Sequence, residues 1–412
     1  MNALPLVVHT RCCIVGGGPA GIMLGLLLAR AGVAVTVLEK HKDFLRDFRG
    51  DTVHPSTLQI LDEIGLLGKF ERLPQRKIDH LAGIVGGREQ PIVDFRGLEP
   101  FGYLALVPQW DLLDLLAEEG RRHAGFDLRM RHEVTGLVAD GDRAVGVDVE
   151  TPDGPLQIRA DLVVACDGRG STVRAAAGLH ATDYGAPMDV LWFRLPRKES
   201  DPQDTFGIID KGHMMVLLNR NDYWQTAYLV PKGGDRALRS HPVETLAAGV
   251  TELAQFLADR QSTLTSWDQV STLEVQVARL ERWHRPGLLL IGDAAHAMSP
   301  IGGVGINLAI QDAVATANAL APVLRGTDPV GEDLLAAVQQ RREWPVKVVQ
   351  TVQLAIQRRV ISQALAQSGR PPYVPALLRW LMSFRAVRHI PARLFGYGIR
   401  QEHVRSPGEP AA

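Results

Sequence analysis

A short apolar strand, Cys12 to Val15, runs straight into Gly16-Gly17-Gly18-Pro19-Ala20-Gly21, and this junction constrains the fold more than any other stretch. A helix over Ile22 to Ala31 follows, Gly32 stops it, and Val33 to Leu38 reads as a second buried strand ending at Glu39. Strand, glycine turn, helix and strand in this order are the context that a dinucleotide-binding G-x-G-x-x-G signal requires. Gly16 allows the tight turn, Gly18 lets the backbone approach a pyrophosphate, and Gly21 lets the helix lie close to the sheet. Pro19 and Ala20 complete the motif, and the helix N-terminus beyond it supplies free N–H groups and partial positive charge that suit phosphates. Glu39, about 20 residues on, can accept the ribose hydroxyls of an adenosine, with Lys40 beside it. Arg46 and Arg49 could add positive charge, although exposed surface arginines are an equal reading. The motif alone does not separate FAD from NAD.

Two further glycine-marked strand exits follow. Ala160 to Cys166 is a buried strand ending in Asp167-Gly168, and Ser171 to Ala177 can begin a helix. Gly287 to Ile291 is another, ended by Gly292-Asp293 and followed by Pro300 and Gly302-Gly303-Val304-Gly305-Ile306-Asn307, which lead into a helix through Gln311-Asp312. In open α/β sheets ligands gather outside the carboxyl ends of the strands. Asp293 can hold a polyol hydroxyl. The glycines beyond Pro300 expose N–H groups where a flavin ring could lie, and the helix start favours negative charge on that ring. His296 reads as a packed histidine ahead of a proton shuttle. Pro108-Gln109-Trp110 looks like a strand end entering a helix, from which Gln109 could reach the cofactor.

Bulk properties exclude several classes. The formal charge of -1 over 412 residues gives no basic field for nucleic acid. The apolar run Ile22 to Ala29 is far too short to cross a bilayer, and Met1 to Thr10 lacks the basic start of a secretory signal. Cys12, Cys13 and Cys166 fall in buried strands, which suits core cysteines in a reducing cytoplasm better than a disulfide or a zinc site. No spacing supports Ser-His-Asp hydrolysis or metal chemistry, and a shortage of catalytic side chains fits a chain whose cofactor carries the chemistry.

Between residues 180 and 280 the pattern changes to successive strands at 190–195, 205–209, 213–218 and 223–230, joined by Asp210-Lys211-Gly212 and Asn219-Arg220-Asn221-Asp222. They predict an antiparallel sheet with one face on a helix near Val243 to Asp259 and the other over the flavin. Trp192, His213, Met215, Trp224 and Tyr228 are the candidate pocket wall, with ordinary core packing the competing reading for each. The resulting class is α/β: a FAD-binding Rossmann-like domain interrupted by an α+β substrate domain, with C-terminal helices. The boundaries read 1–180 (75–108 contributing to the substrate side), 181–280, 281–330, 331–405 and a loose tail at 406–412. Pro345 should kink or divide the helical stretch Leu334 to Ala364. Ala376 to Phe384 reads as an apolar helix. The basic segment Arg385 to Arg400 packs on its own domain, on a second subunit as a homodimer, or on a membrane surface.

These three motifs together resemble the single-component, class A FAD-dependent aromatic-ring monooxygenases related to para-hydroxybenzoate hydroxylase. The matching residues are Gly16 to Gly21 with Glu39, Asp167-Gly168 with Ser171, Val173 and Arg174, and Gly292 to His296 through Pro300, Gly303, Gly305, Asn307 and Asp312. The resemblance implies that Glu39 binds the adenosine ribose, Arg49 and Gln109 help hold FAD, and Asp167 serves FAD and NAD(P)H. It implies that Asp293 contacts the ribityl or pyrophosphate region, that Pro300 borders the substrate and that Gly303, Val304, Gly305, Ile306 and Asn307 line the flavin ring. Pro300, Gly303 and His213 are the candidates nearest the chemistry. Many relatives carry arginine where Gln109 stands. The family reaction consumes NAD(P)H and O2 and hydroxylates a small aromatic or polyketide-like substrate through a flavin C4a-hydroperoxide. A same-fold halogenase, epoxidase or reductase is the alternative, although no Trp-x-Trp-x-Ile motif is present; a non-catalytic nucleotide-binding protein is a third reading.

Overall fold

The computed structural model describes residues 6–45, 52–210, 212–365 and 384–407. Its main sheet is built on apolar runs that are buried on both faces, as parallel strands flanked by helices must be. Strand Leu6–Val15 lies between Gly154–Ala165 and Val35–Glu39, parallel to both. Leu288–Leu290 adds in parallel beyond Gly154–Ala165, and Phe126–Met130 beyond Val35–Glu39. Hairpin turns at Asp140-Gly141-Asp142 and Pro152-Asp153-Gly154 pair Glu133–Asp140, Arg143–Thr151 and Gly154–Ala165 as an antiparallel meander. Helix Pro19–Arg30 is apolar almost all round and packs against helix Gly305–Arg325. Cys12 and Cys13 are fully buried here, and burial pushes both thiols far up, so they act as core apolar groups.

The second sheet has seven strands in the order Ser271–Leu273, Met188–Pro196, Tyr223–Pro231, His213–Asn219, Phe206–Asp210, His80–Val85 and Arg88–Asp94. All neighbours are antiparallel except Phe206–Asp210 with His80–Val85. Alternation divides its side chains cleanly. Leu191, Phe193, Met215, Leu217, Trp224 and Tyr228 face helix Glu244–Leu253 and the 3-10 turns Gln255–Thr263. Val190, Trp192, Met214, Val216, Ala227 and Leu229 face the other way, towards Ile301, Ile361 and Leu365.

Pro345 does not divide its helix: Glu332–Ile356 runs through it unbroken and passes into a π-helical segment, Gln357–Ile361. Burial of Leu335, Val338, Val346 and Val349 along one side holds the helix together across the proline. The basic segment forms helix Arg385–Gly396, which packs on its own chain: the Tyr397 hydroxyl donates to the Phe101 carbonyl, and Phe395 lies against Gly302. Of the apolar helix expected at Ala376 to Phe384, residues Ala376 to Ser383 fall outside the described residues, as do Arg46, Arg49 and Lys211.

Candidate active site

The three glycine-marked strand exits meet side by side at the carboxyl ends of the main sheet. The Cys166 N–H donates to the Val15 carbonyl at 2.7 Å and the Ile291 N–H to the Ala165 carbonyl at 3.0 Å. Gly16 takes φ +105°, and a Cβ there would sit 2.5 Å from the Cys166 carbonyl oxygen. A Cβ on Gly21 would meet the Gly16 oxygen at 1.9 Å, so the helix lies directly on the turn. Gly18 is different: a Cβ there meets nothing within 4 Å. Glycine at Gly18 therefore leaves a space that protein atoms do not fill, at the start of helix Pro19–Arg30. That helix has no side-chain cap and no acidic residue in its first turn, so its N–H groups and positive pole face outward.

Glu39 lies against the same turn at Gly17. Its carboxylate is buried and accepts from the Gly17 N–H and the His41 N–H, each at 3.0 Å. Lys40 beside it is exposed. Gln109 is the first residue of helix Gln109–Gly120 and is half-buried. In the middle motif Asp167 accepts the Val173 N–H through Oδ2, while its Oδ1 is buried with no partner. Burial pushes that carboxyl up, against a hydrogen bond from Ser171. An orphaned buried oxygen beside Gly16, an unfilled space at Gly18 and a bare helix N-terminus fit a long, phosphate-bearing polyol ligand such as FAD.

The late motif is held from behind by charge. Asp293 pairs with Arg169 at 3.0 Å. The Gly292 N–H donates to Asp312 Oδ2 at 3.1 Å, and the same carboxylate binds His296 Nε2 at 2.6 Å and Arg342 Nε at 2.8 Å. Asp312, His296 and Arg342 are all essentially inaccessible. Burial alone would raise the Asp312 pKa, but His296 and Arg342 together hold it below its usual range. His296 is thus held in a buried network, its ring 4.9 Å from that of Trp283 and tilted 38° to it, which agrees with the packed reading of this histidine.

Pro300 leads into the turn Ile301–Gly303, and Gly305–Arg325 follows with Val304 as its cap residue. Gly302 and Gly303 have φ +76° and +62°; a Cβ on Gly303 would strike Thr52 Oγ1 at 2.1 Å. Pro300, Gly305 and Ile306 are half-buried around this turn, and Val304 is buried. The Asn307 side chain clamps the loop: its Oδ1 accepts from the His54 N–H at 2.9 Å and Thr57 Oγ1 at 2.7 Å, and its Nδ2 donates to the Thr52 and Gly303 carbonyls. It is fully used in positioning backbone, leaving any ring contact to the backbone groups around it.

His213 departs from the sequence expectation. It lies on the helix side of the second sheet, with Nδ1 2.6 Å from the Tyr228 hydroxyl, and Met215, Trp224 and Tyr228 share that side. Among the five proposed wall residues only Trp192 lies on the face turned to Ile301. Alternation correctly grouped four of them, but a strand pattern does not say which side faces the cofactor.

Sequence reasoning missed His54. It is fully buried, its Nδ1 lies 2.6 Å from the Phe395 carbonyl, and its Nε2 has no partner. Burial drives its pKa down to about 4, against contacts with the Phe395, Gly302 and Gly303 backbone, so the ring is neutral. The one signal in the sequence was its place directly before Pro55 at a helix start. Also missed was a ladder of buried glutamines, Gln350, Gln353 and Gln357, that tethers residues 297–301 to the C-terminal helix.

A parallel sheet with its glycine turns gathered at one end, bare helix N-termini there and an apolar sheet across from them define a flavin-dependent oxidoreductase. The family model described as "FAD binding domain" matches residues 9–352. The 6-methylpretetramide 4-monooxygenase of Streptomyces rimosus is 36% identical over 98% of this chain and 97% of its own length. The 12-dehydrotetracycline 5-monooxygenase/anhydrotetracycline 6-monooxygenase of the same species is 32% identical over 77% of this chain; the match spans 63% of that longer protein. Among solved structures, the anhydrotetracycline hydroxylase OxyS from Streptomyces rimosus superposes with a TM-score of 0.73 at 26% identity, covering 94% of this chain and 76% of that one. The chain belongs to the FAD-binding family of class A flavin-dependent monooxygenases. Among the described residues no helix is long and apolar enough to cross a membrane, and no cluster of metal-ligating side chains occurs.

Proposed function

We propose that this chain is an NAD(P)H-consuming, FAD-dependent monooxygenase that hydroxylates an aromatic or polyketide-like substrate, in the manner of para-hydroxybenzoate hydroxylase. The observation that carries the reading is the apolar sheet face bearing Trp192, Met214 and Val216, which packs on Ile301, one residue from the glycines assigned to the flavin ring. The printed activities of the Streptomyces rimosus relatives, oxygenations of tetracycline precursors, support the substrate class.

When bound, FAD supplies the redox and oxygen chemistry. The turn Gly16 to Gly21 would hold its pyrophosphate on helix N–H groups, and Glu39 its adenosine ribose. Asp293, fixed by Arg169, would hold the ribityl chain. The helix start at Gly305 would set partial positive charge beside the ring. Ile301 and the facing sheet would exclude water and orient the substrate ring, with Pro300 at their border.

The test is to load the protein with FAD and follow NADPH and NADH oxidation in air, with and without phenolic polycycles, measuring peroxide and product together. Hydroxylated product in proportion to NAD(P)H consumed supports the proposal. Reduction that always ends in peroxide, or product with a reduced double bond and no added oxygen, rejects it.

A further inference from the structure

The C-terminal segment from Phe395 to Val404 lies outside all three glycine motifs, yet it reaches both turns of the late one. Phe395 lies in the last turn of helix Arg385–Gly396, and its ring stands directly on Gly302, where an added Cβ would come within 2.9 Å of the ring edge. Gly396 follows so closely on Pro55 that a Cβ there would meet the proline Cγ at 3.2 Å. Further on, Glu402 is buried and its carboxylate accepts from Arg342 Nη1 at 3.3 Å. The same guanidinium grips Asp312, which accepts the Gly292 N–H.

His54 joins this segment to the Gly302–Gly303 turn. It is the cap residue of helix Pro55–Glu63, and its N–H donates to Asn307 Oδ1 at 2.9 Å. Asn307 in turn holds the Gly303 carbonyl through Nδ2. The His54 ring reaches the other way, with Nδ1 2.6 Å from the Phe395 carbonyl. A carbonyl oxygen only accepts, so Nδ1 carries the proton of the neutral ring and Nε2 is left as a bare acceptor. This tautomer accounts for the unpartnered Nε2. An apolar side chain would fill the same buried position without taking two ring nitrogens out of water, so the directed bond to Phe395 is what a histidine adds here. Gly302 and Gly303 have no side chains of their own to fix their backbone, and glycine tolerates many conformations. Their surroundings therefore decide where that backbone sits.

Resting on the reading that places the flavin ring at this turn, we infer that His54 and Phe395 are positioning residues: through them the C-terminal segment sets the Gly302–Gly303 backbone against which the ring lies. The flavin end of the site is then completed from residues far beyond the last glycine motif.

The experiment compares FAD with ADP, which carries the adenosine and its two phosphates but no ring. FAD is titrated by quenching of its fluorescence and ADP by calorimetry. His54→Leu removes the bond to Phe395; it should weaken FAD roughly three- to tenfold, the range of one neutral hydrogen bond, and leave ADP within about twofold. His54→Asn places an amide N–H where Nδ1 stands and should restore FAD binding to within about twofold of the unsubstituted protein. Phe395→Leu uncovers part of Gly302 and should give the same split between FAD and ADP. Thermal melting of each variant identifies any that fail to fold, and Phe395→Leu decides the question if His54→Leu is one of them. Equal weakening of FAD and ADP in the folded variants, unchanged FAD binding in them, or a His54→Asn variant no better than His54→Leu would each overturn the inference. Unsubstituted protein that holds FAD no more tightly than ADP would instead take the ring away from this turn, overturning the reading beneath and the inference with it.

Discussion

Replacing Gly18 with alanine separates the fold of the first turn from its ligand. Gly18 has φ -76° and ψ -175°, an extended conformation that alanine adopts freely. An added Cβ meets no protein atom within 4 Å. Without cofactor, Gly18→Ala should therefore fold, and should gain about 0.4–1 kcal/mol because the unfolded chain loses freedom. With FAD present the sign reverses. The methyl group would enter the open space beside the helix start, where we place the pyrophosphate. Losing one charge-assisted hydrogen bond costs about 1.5–3 kcal/mol, or roughly 10- to 100-fold in FAD affinity. The assay is urea unfolding of apoprotein alongside titration of FAD by fluorescence quenching. Gly21→Ala is the contrasting variant, since its Cβ would stand 1.9 Å from the Gly16 oxygen and must push the helix off the turn. It should lose stability with or without FAD. An unchanged FAD affinity in Gly18→Ala would refute the placement of the pyrophosphate over this turn.

Three other perturbations follow from the site. Asp312→Asn turns an amide toward one of three donors and leaves Arg342 short of an anion; it should cost about 3–5 kcal/mol in urea unfolding, and a loss below about 1 kcal/mol would contradict the buried network. His54 has a folded pKa near 4, below its unfolded value, so the unfolded state binds the proton first. Its contribution is complete above about pH 6.5 and is lost as pH falls towards 4, by roughly 3 kcal/mol in all; His54→Asn should flatten that part of the stability–pH curve. His213→Gln changes the helix side of the second sheet, so substrate affinity should stay within about twofold, and a large rise in KM would restore His213 to the pocket wall.

The local turns were readable because each depends on a residue type that geometry makes irreplaceable. Gly16, Gly292 and Gly303 occupy positive φ, Gly16 hard against the Cys166 backbone, and those constraints leave glycines in the sequence itself. The buried strands before them were equally plain, since strands covered on both faces are continuous apolar runs. What the sequence concealed depended on contacts between distant segments. Alternation placed His213, Met215, Trp224 and Tyr228 on one side of the sheet, yet only the packing of Ile301 and Ile361 reveals that the opposite side faces the glycine turn. His54 lies about 340 residues before Phe395, and no local pattern announces that pairing. Of the two outcomes open at Pro345, a kink or a division, division does not occur, because the buried face of the helix outweighs the lost hydrogen bond that local propensity counts.

The order of strands in the main sheet also governs how the protein is made. Leu6 must align with Leu156, and Ala165 with Leu290, so the central strand waits for neighbours encoded far downstream. At roughly 5–20 residues per second, a ribosome needs on the order of 10–30 seconds to deliver the first of them. During that interval an apolar ribbon has one edge open, the state most exposed to mispairing with other nascent chains. Slower translation across residues 40–150 should therefore lower soluble yield, and chaperone supply should raise it.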